Sequence, residues 1–352
     1  MDATLEFLKD LVDAHGAPGF EGDVAVLMER YLKGLGPVSR DRLGSFVLEK
    51  KGGPGPRVML AGHLDEVGFM VKSVTKEGFV KFLPLGGWWG HVVLGQRLII
   101  KTRKGDVVGV VGSKPPHELR DEDRKKVLEV REMFIDVGAA SDWDVKKKLD
   151  IRPGDPIIPD SKFTQMANPN LMLAKAWDNR IGCALAAVTA KRLKEVKHPN
   201  TVYAVATVQE EVGLRGAATS AFKVQPDVAF ALDVGIAHDT PGTEGEEKLG
   251  GGPLIVVYDA TSIPNRGLLD LVMETAAKLK MPLQFESVER GGTDAGRIHL
   301  TGQGVPCVSI GVPARYIHSH VSIIDRRDFE STVDLLVALV KRLDQKTVEG
   351  LV

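Results

Sequence analysis

Thr201-Val-Tyr-Ala-Val-Ala-Thr-Val208 runs without a break into Gln209-Glu210-Glu211-Val212-Gly213. An uncharged run of this length, rich in Val, Thr and Tyr, predicts a strand buried on both faces, as in a parallel sheet covered by helices. Two adjacent carboxylates at its carboxyl end repel each other unless cations or a shared proton compensate. A metal on one and a proton-transfer task on the other resolve the conflict; a solvated acidic turn is the alternative.

The rhythm of strand and helix continues outward from this segment. A helix is expected over residues 179–195, then a strand over 228–233, a helix over 267–280, a strand over 306–311 and a final helix over 327–345. Towards the N-terminus, an amphipathic helix within residues 1–16 and a second around 24–35 precede strands at 46–50 and 57–61. Such alternation predicts an α/β domain with a mixed, largely parallel sheet flanked by helices. Between residues 69 and 159 the texture changes to short β-like runs at 78–83, 97–101 and 107–111, separated by Gly, Pro and charged turns, with a charged stretch at 117–130. That pattern predicts a small β-barrel inserted into a larger domain made of residues 1–68 and 160–352.

Composition narrows the partners. Across 352 residues, 46 basic side chains face 47 acidic ones, so nothing in the overall charge points to nucleic acid or a membrane surface. The two cysteines, Cys183 and Cys307, lie in apolar stretches and supply neither a disulfide framework nor a CxxC zinc site. The start of the chain carries Asp2, Glu6, Asp10 and Asp13, the opposite of a basic and then apolar signal peptide. With no apolar run near the ~20 residues a bilayer requires, a cytoplasmic protein is expected.

Open α/β sheets bind ligands beyond the carboxyl ends of their strands. There the sequence places His63 and Asp65, two apart on an extended backbone, so that Asp65 can accept from the imidazole and orient it. A local turn without metal is the alternative. Asp178, in Ala176-Trp177-Asp178-Asn179-Arg180, reads alone as a helix N-cap, a role compatible with bridging two cations. Asp233 is expected at the end of its strand. His318 and His320 follow the strand at 307–310 and a loop from Gly311 to Ile317, and either histidine alone reads as an ordinary loop residue. Together these residues form a nitrogen and oxygen donor set without sulfur, which suits Zn, Co or Mn in a two-metal hydrolytic site. No Gly-x-Ser-x-Gly elbow, P-loop or paired Cys/His nucleophile competes with that reading.

Ordered segments then carry a resemblance. They are Ala61-Gly-His-Leu-Asp-Glu-Val-Gly-Phe69, Ala176-Trp-Asp-Asn-Arg180, Val208-Gln-Glu-Glu-Val-Gly-Leu-Arg-Gly-Ala217, Ala231-Leu-Asp-Val234, Gly291-Gly-Thr-Asp-Ala-Gly296 and Arg315-Tyr-Ile-His-Ser319. In this order they resemble the M42 metallo-aminopeptidases, the family of tetrahedral peptidases, over nearly the whole chain. The resemblance implies two divalent metal ions per subunit, Zn or Co. His63 and Asp233 would complete one site, Glu211 and His318 the other, and Asp178 would bridge them. It also implies Glu210 as general base, Asp65 as the residue holding His63, peptide substrates, and a β-rich insert (residues 69–159) that builds dimers and a dodecamer. His320, two residues beyond His318, is a departure from the family pattern. The turn Gly291-Gly292-Thr293-Asp294 is expected either to let backbone approach substrate or to cap the next helix. Other readings of the same donors are a dinuclear amidohydrolase acting on blocked amides, or a non-catalytic metal-binding assembly protein. Glycoside hydrolysis, a label sometimes attached to the family, would require two carboxylates and no metal.

Overall fold

The computed structural model describes residues 2–351. Its larger part is an eleven-stranded mixed sheet with helices on both faces, and its smaller part is a closed six-stranded antiparallel barrel, which bears out the expected architecture. Parallel pairing runs through the centre of the main sheet path, where Thr201–Thr207, Arg57–His63, Val228–Ile236 and Cys307–Arg315 lie side by side, and recurs off that path between Leu254–Tyr258 and Gln284–Ser287. Antiparallel strands flank the central ones. The central strands are buried on both faces, which is why the quoted run carries no charge and does not alternate.

One helix lies directly over this centre. Trp177–Arg192 is buried around almost its whole circumference, with the sheet on one side and the helices Ala3–Asp13 and Arg326–Arg342 against it. Its approach depends on two glycines. A Cβ on Gly62 would lie 2.4 Å from the backbone carbonyl carbon of Gly182, and one on Gly182 would lie 2.1 Å from the Leu232 carbonyl oxygen. Helix and strand therefore meet backbone to backbone, and this brings the first helical turn down onto the ends of the strands.

The barrel is built by Gly68–Val74, Val80–Leu85, Arg97–Thr102, Gly105–Gly112, Phe134–Asp136 and Pro156–Pro159 around a separate apolar cluster that includes Phe69, Phe82, Ile100, Ile135 and Ile157. Among the described residues no helix is long and apolar enough to cross a membrane.

Two strands run further than expected. Val228–Ile236 extends past Asp233, and Cys307–Arg315 absorbs most of the segment read as a loop. Pro313, which cannot donate to a ladder, lies inside this strand. It sits in a gap: on that flank of the strand one partner stops at Gly311 and the next begins at Ala314.

Candidate metal centre and active site

The sheet opens where the site lies. Arg57–His63 and Val228–Ile236 pair from Val58 and Val228 only as far as Ala61 and Ala231, whereas the pairing of Arg57–His63 with Thr201–Thr207 continues to His63. Beyond Ala61 the two strands part, and His63 and Asp233 stand on either side of the crevice. Asp233 is thus an interior strand residue at the point where a neighbour is lost, rather than the strand's last residue.

Asp178 occupies the mouth of that crevice and does not cap the helix. Residues 178 and 179 have non-helical backbone angles, and Asn179 supplies the cap through its side-chain oxygen, which accepts from the Gly182 N–H at 2.9 Å. This frees the Asp178 carboxylate. Its Oδ1 lies 3.3 Å from His63 Nε2 and its Oδ2 lies 3.3 Å from His318 Nε2, so one side chain faces two imidazoles with different oxygens.

Asp65 acts differently from expectation. The main-chain carbonyl of Asp65 contacts His63 Nδ1 at 3.1 Å, while its carboxylate is 3.6 Å from the same nitrogen. That carboxylate accepts the backbone N–H groups of Glu210 and Glu211, both at 3.0 Å. Glu21 adds a third such bond, from the N–H of Gln209 at 3.0 Å. Three successive amides are therefore gripped by two buried acids, which aims the side chains of Glu210 and Glu211 into the crevice.

His318 is placed by the barrel side of the molecule. Its Nδ1–H donates to the Gly87 carbonyl at 2.8 Å, and its Nε2 stands 3.9 Å from Glu211. Gly86 and Gly87 leave the room this needs. A Cβ on Gly86 would come within 3.1 Å of Glu211 Oε2, and one on Gly87 within 3.1 Å of His318 Nδ1. His320 is not part of this group; its Nδ1 is buried without a partner and it lines a neighbouring apolar pocket with Trp88 and Trp89.

Two sets of donor atoms converge closely enough to hold cations: His63, Asp178 and Glu211, and His63, Glu210 and Asp233, each within 4.8 Å of one another. The donors are imidazole nitrogens and carboxylate oxygens, and Glu211 Oε1 is buried with no hydrogen-bond partner, so the site is chemically suited to divalent ions. Glu210, expected as a base, lies within the second set, with its Oε2 3.6 Å from His63 Nε2.

The electrostatics are those of acids crowded together without enough positive charge. Burial, with Asp178 adding, pushes Glu211 up to about 8. Burial likewise holds Glu210 and Asp233 well above the usual carboxylate range, with Asp294 adding in both cases. Burial works against the charged form of both histidines, yet Asp178 and Glu211 raise His318 to about 10, and Glu210, Asp178 and Asp65 raise His63 well above its ordinary value. For Asp178 burial is outweighed by the two histidines, which lower it.

A cavity of about 540 Å³ opens over this cluster, bordered by Gly291, Gly292 and Thr293 as well as by the metal-ligand candidates. Asp294 is not at its surface. It is buried beneath the site, accepting from Thr207 Oγ1 at 2.6 Å, and burial pushes it up to about 6. Sequence reasoning also passed over Glu21 and the Gly86-Gly87 pair. Adjacent glycines at the edge of a predicted barrel strand were the available signal for the second; nothing local marks the first.

With this geometry in hand, the chain's relatives can be placed beside it. Residues 44–335 match the family model described as M42 glutamyl aminopeptidase. The chain is 38% identical to the putative aminopeptidase FrvX of Escherichia coli, over 98% of this chain and 97% of that protein. It is also 38% identical to the glutamyl aminopeptidase of Lactococcus lactis, over 97% of each. Among solved structures it is similar to the TET aminopeptidase of a marine sediment archaeon, Thaumarchaeota archaeon, at a TM-score of 0.98 and 46% identity over 100% of both chains. It is similar as well to the TET1 peptidase of Pyrococcus horikoshii, which is described as assembling into a tetrahedron or a large octahedral shell, at a TM-score of 0.86 and 30% identity over 97% of this chain and 100% of that one.

Proposed function

The chain belongs to the M42 family and is a metal-dependent aminopeptidase, and from this premise we propose that it removes N-terminal residues from peptides with two divalent ions, Zn or Co, in each subunit. The observation that carries the two-ion reading is Asp178, whose two oxygens each face a different histidine. We assign His63 and Asp233 to one ion, Glu211 and His318 to the other, and Asp178 to both.

The ions, when bound, supply Lewis acidity and make water acidic enough to attack near neutral pH. Glu210 takes the proton of the attacking water on its carboxylate and returns it to the leaving amine. Asp65 and Glu21 keep that carboxylate in place by fixing the main chain on which it rides. His318 is held in one orientation by the Gly87 carbonyl, and His63 by that of Asp65. We read residues 69–159 as the unit that joins subunits into dimers and then a dodecamer, a reading supported by the assembly of the Pyrococcus horikoshii relative. Two buried cysteines that form no disulfide support a cytoplasmic setting.

The test is a panel of aminoacyl chromogenic substrates with free and acetylated amines, assayed after chelation and after return of Zn or Co. Free-amine substrates should be cleaved only with metal present. Cleavage of acetylated substrates would favour the amidohydrolase, and bound ions without any turnover the assembly protein.

Metal loading should also release protons. The surrounding carboxylates favour the protonated forms of His63 and of His318, raised to about 10, and burial favours that of Glu211, raised to about 8; each must lose its proton to become a ligand. Affinity should therefore rise as pH rises from 7 towards 8 and beyond. Calorimetric titration in buffers of different ionisation enthalpy measures the release; loading without any would argue against this ligand set.

A further inference from the structure

Beyond Asp233 the strand Val228–Ile236 leads along the cavity to a carboxylate that the chemistry above does not use. Glu286, on the strand Gln284–Ser287, is buried, and its Oε1 accepts the Ile236 N–H at 2.9 Å. Its Oε2 has no hydrogen-bond or ion-pair partner among the described residues, yet it is not sealed in, because Glu286 borders the cavity. Gly235 makes room for it. A Cβ there would stand 2.2 Å from Glu286 Oε2 and 1.9 Å from Leu254 Cδ2, so a residue with a side chain would displace the acid.

The surroundings isolate this charge. Ile236, Val256 and Val288 supply apolar lining nearby. His238 and Glu247, whose charges also act on Glu286, are paired with each other at 2.7 Å. Asp259 also borders the cavity, but both its oxygens are taken, by the N–H groups of Thr261 and Ser262 and by three hydroxyls. Arg290 is exposed on the cavity lining and forms no ion pair with Glu286. A buried carboxylate with one oxygen free and no cation beside it is costly until something positive arrives. Burial keeps Glu286 above the ordinary carboxylate range, as such a shortage of counter-charge requires.

Distance matches this need. Three residues of extended strand, about 10 Å, separate Asp233 at the metal centre from Ile236, which holds Glu286. The four-carbon stem of a lysine, or an arginine, reaches across that interval from a backbone held at the metals while packing its methylenes against the valines.

We propose that Glu286 is the specificity-determining residue of this enzyme and selects peptides whose N-terminal residue is lysine or arginine. The inference rests on the aminopeptidase reading and adds the substrate class. An N-terminal aspartate or glutamate would meet a like charge, and a neutral aliphatic residue would leave the acid unpaired. With a single oxygen free, the two-pronged geometry of arginine goes unused, so lysine should be accepted at least as well.

The experiment compares kcat/KM for Lys, Arg, norleucine, Leu and Glu p-nitroanilides in the metal-loaded wild type and in Glu286→Gln, which keeps an acceptor for Ile236. The wild type should favour Lys over norleucine, which has a stem of similar length without the charge. The variant should lower that ratio by about tenfold to a hundredfold, as loss of a charge-assisted bond implies. A wild type that prefers Leu or Glu, or a Lys-to-norleucine ratio unmoved by the substitution, overturns the assignment while leaving the aminopeptidase standing. If no aminoacyl substrate is cleaved, both readings fall together.

Discussion

Glu210→Gln is expected to bind its metals and to lose about 10²–10⁴-fold in kcat, the range over which a positioned acid–base group contributes. Glutamine preserves the shape, and the main chain at this position is held by Asp65 irrespective of the side chain, so the loop should stay where it is. What disappears is the ability to take and return a proton. The measurement pairs turnover with elemental analysis because the structure places Glu210 in one of the two donor sets. A base that is only a base leaves metal content unchanged while kcat collapses. Parallel loss of an ion and of activity would make Glu210 a ligand, and near-normal turnover would remove it from the chemistry.

The main features of the fold were legible because its centre obeys a simple rule. Strands buried on both faces must be apolar throughout, so Thr201–Thr207 and the first part of Val228–Ile236 announce themselves. The same rule hid the far half of Cys307–Arg315, where Pro313 looks like a break unless the change of partner strand is known. The site was legible for a related reason. A polar residue at the end of an apolar strand has little structural purpose, which singled out His63, Glu210 and Glu211. Asp178 was found as a ligand candidate, but the cap that it also suggested belongs to Asn179, because Asp followed by Asn offers two equally good caps and only the backbone decides between them. The grip of Glu21 on Gln209 joins residues 188 apart in sequence, and the hold of Gly87 on His318 joins residues 231 apart. No local pattern carries such contacts. Glu286 belongs with these, since its role depends on a glycine in another strand.

Glu66→Gln should cost about 3–5 kcal/mol of stability, the penalty for leaving buried charge without its partner. Glu66 lies fully inside the protein, with Oε1 2.6 Å from Lys175 Nζ and 3.1 Å from Arg180 Nη2. Both cations are buried and tie the end of the first helix to the site. Lys175 donates to Ala14 O at 2.8 Å, and Arg180 donates to Leu11 O at 2.5 Å and to Leu64 O. Remove the one anion and two positive charges remain in low dielectric, two and three residues from Asp178. Burial already lowers Lys175 to about 8 even with Glu66 holding it up. Without Glu66 its pKa falls further, so between that new value and about 8 the folded variant has a neutral lysine while its unfolded chain still carries the proton. Stability of the variant therefore rises with pH across that window, whereas the wild type, protonated in both states, gains nothing from this group. The deficit should narrow as pH approaches 8, and adding Lys175→Met should recover part of it at pH 7. Thermal unfolding of the four proteins in this double-mutant cycle, at pH 6 and pH 8, measures both effects. A Glu66→Gln variant as stable as wild type would mean that water reaches these cations, and that the rigidity beneath the metal centre comes from the backbone contacts of Gly62 and Gly182 instead.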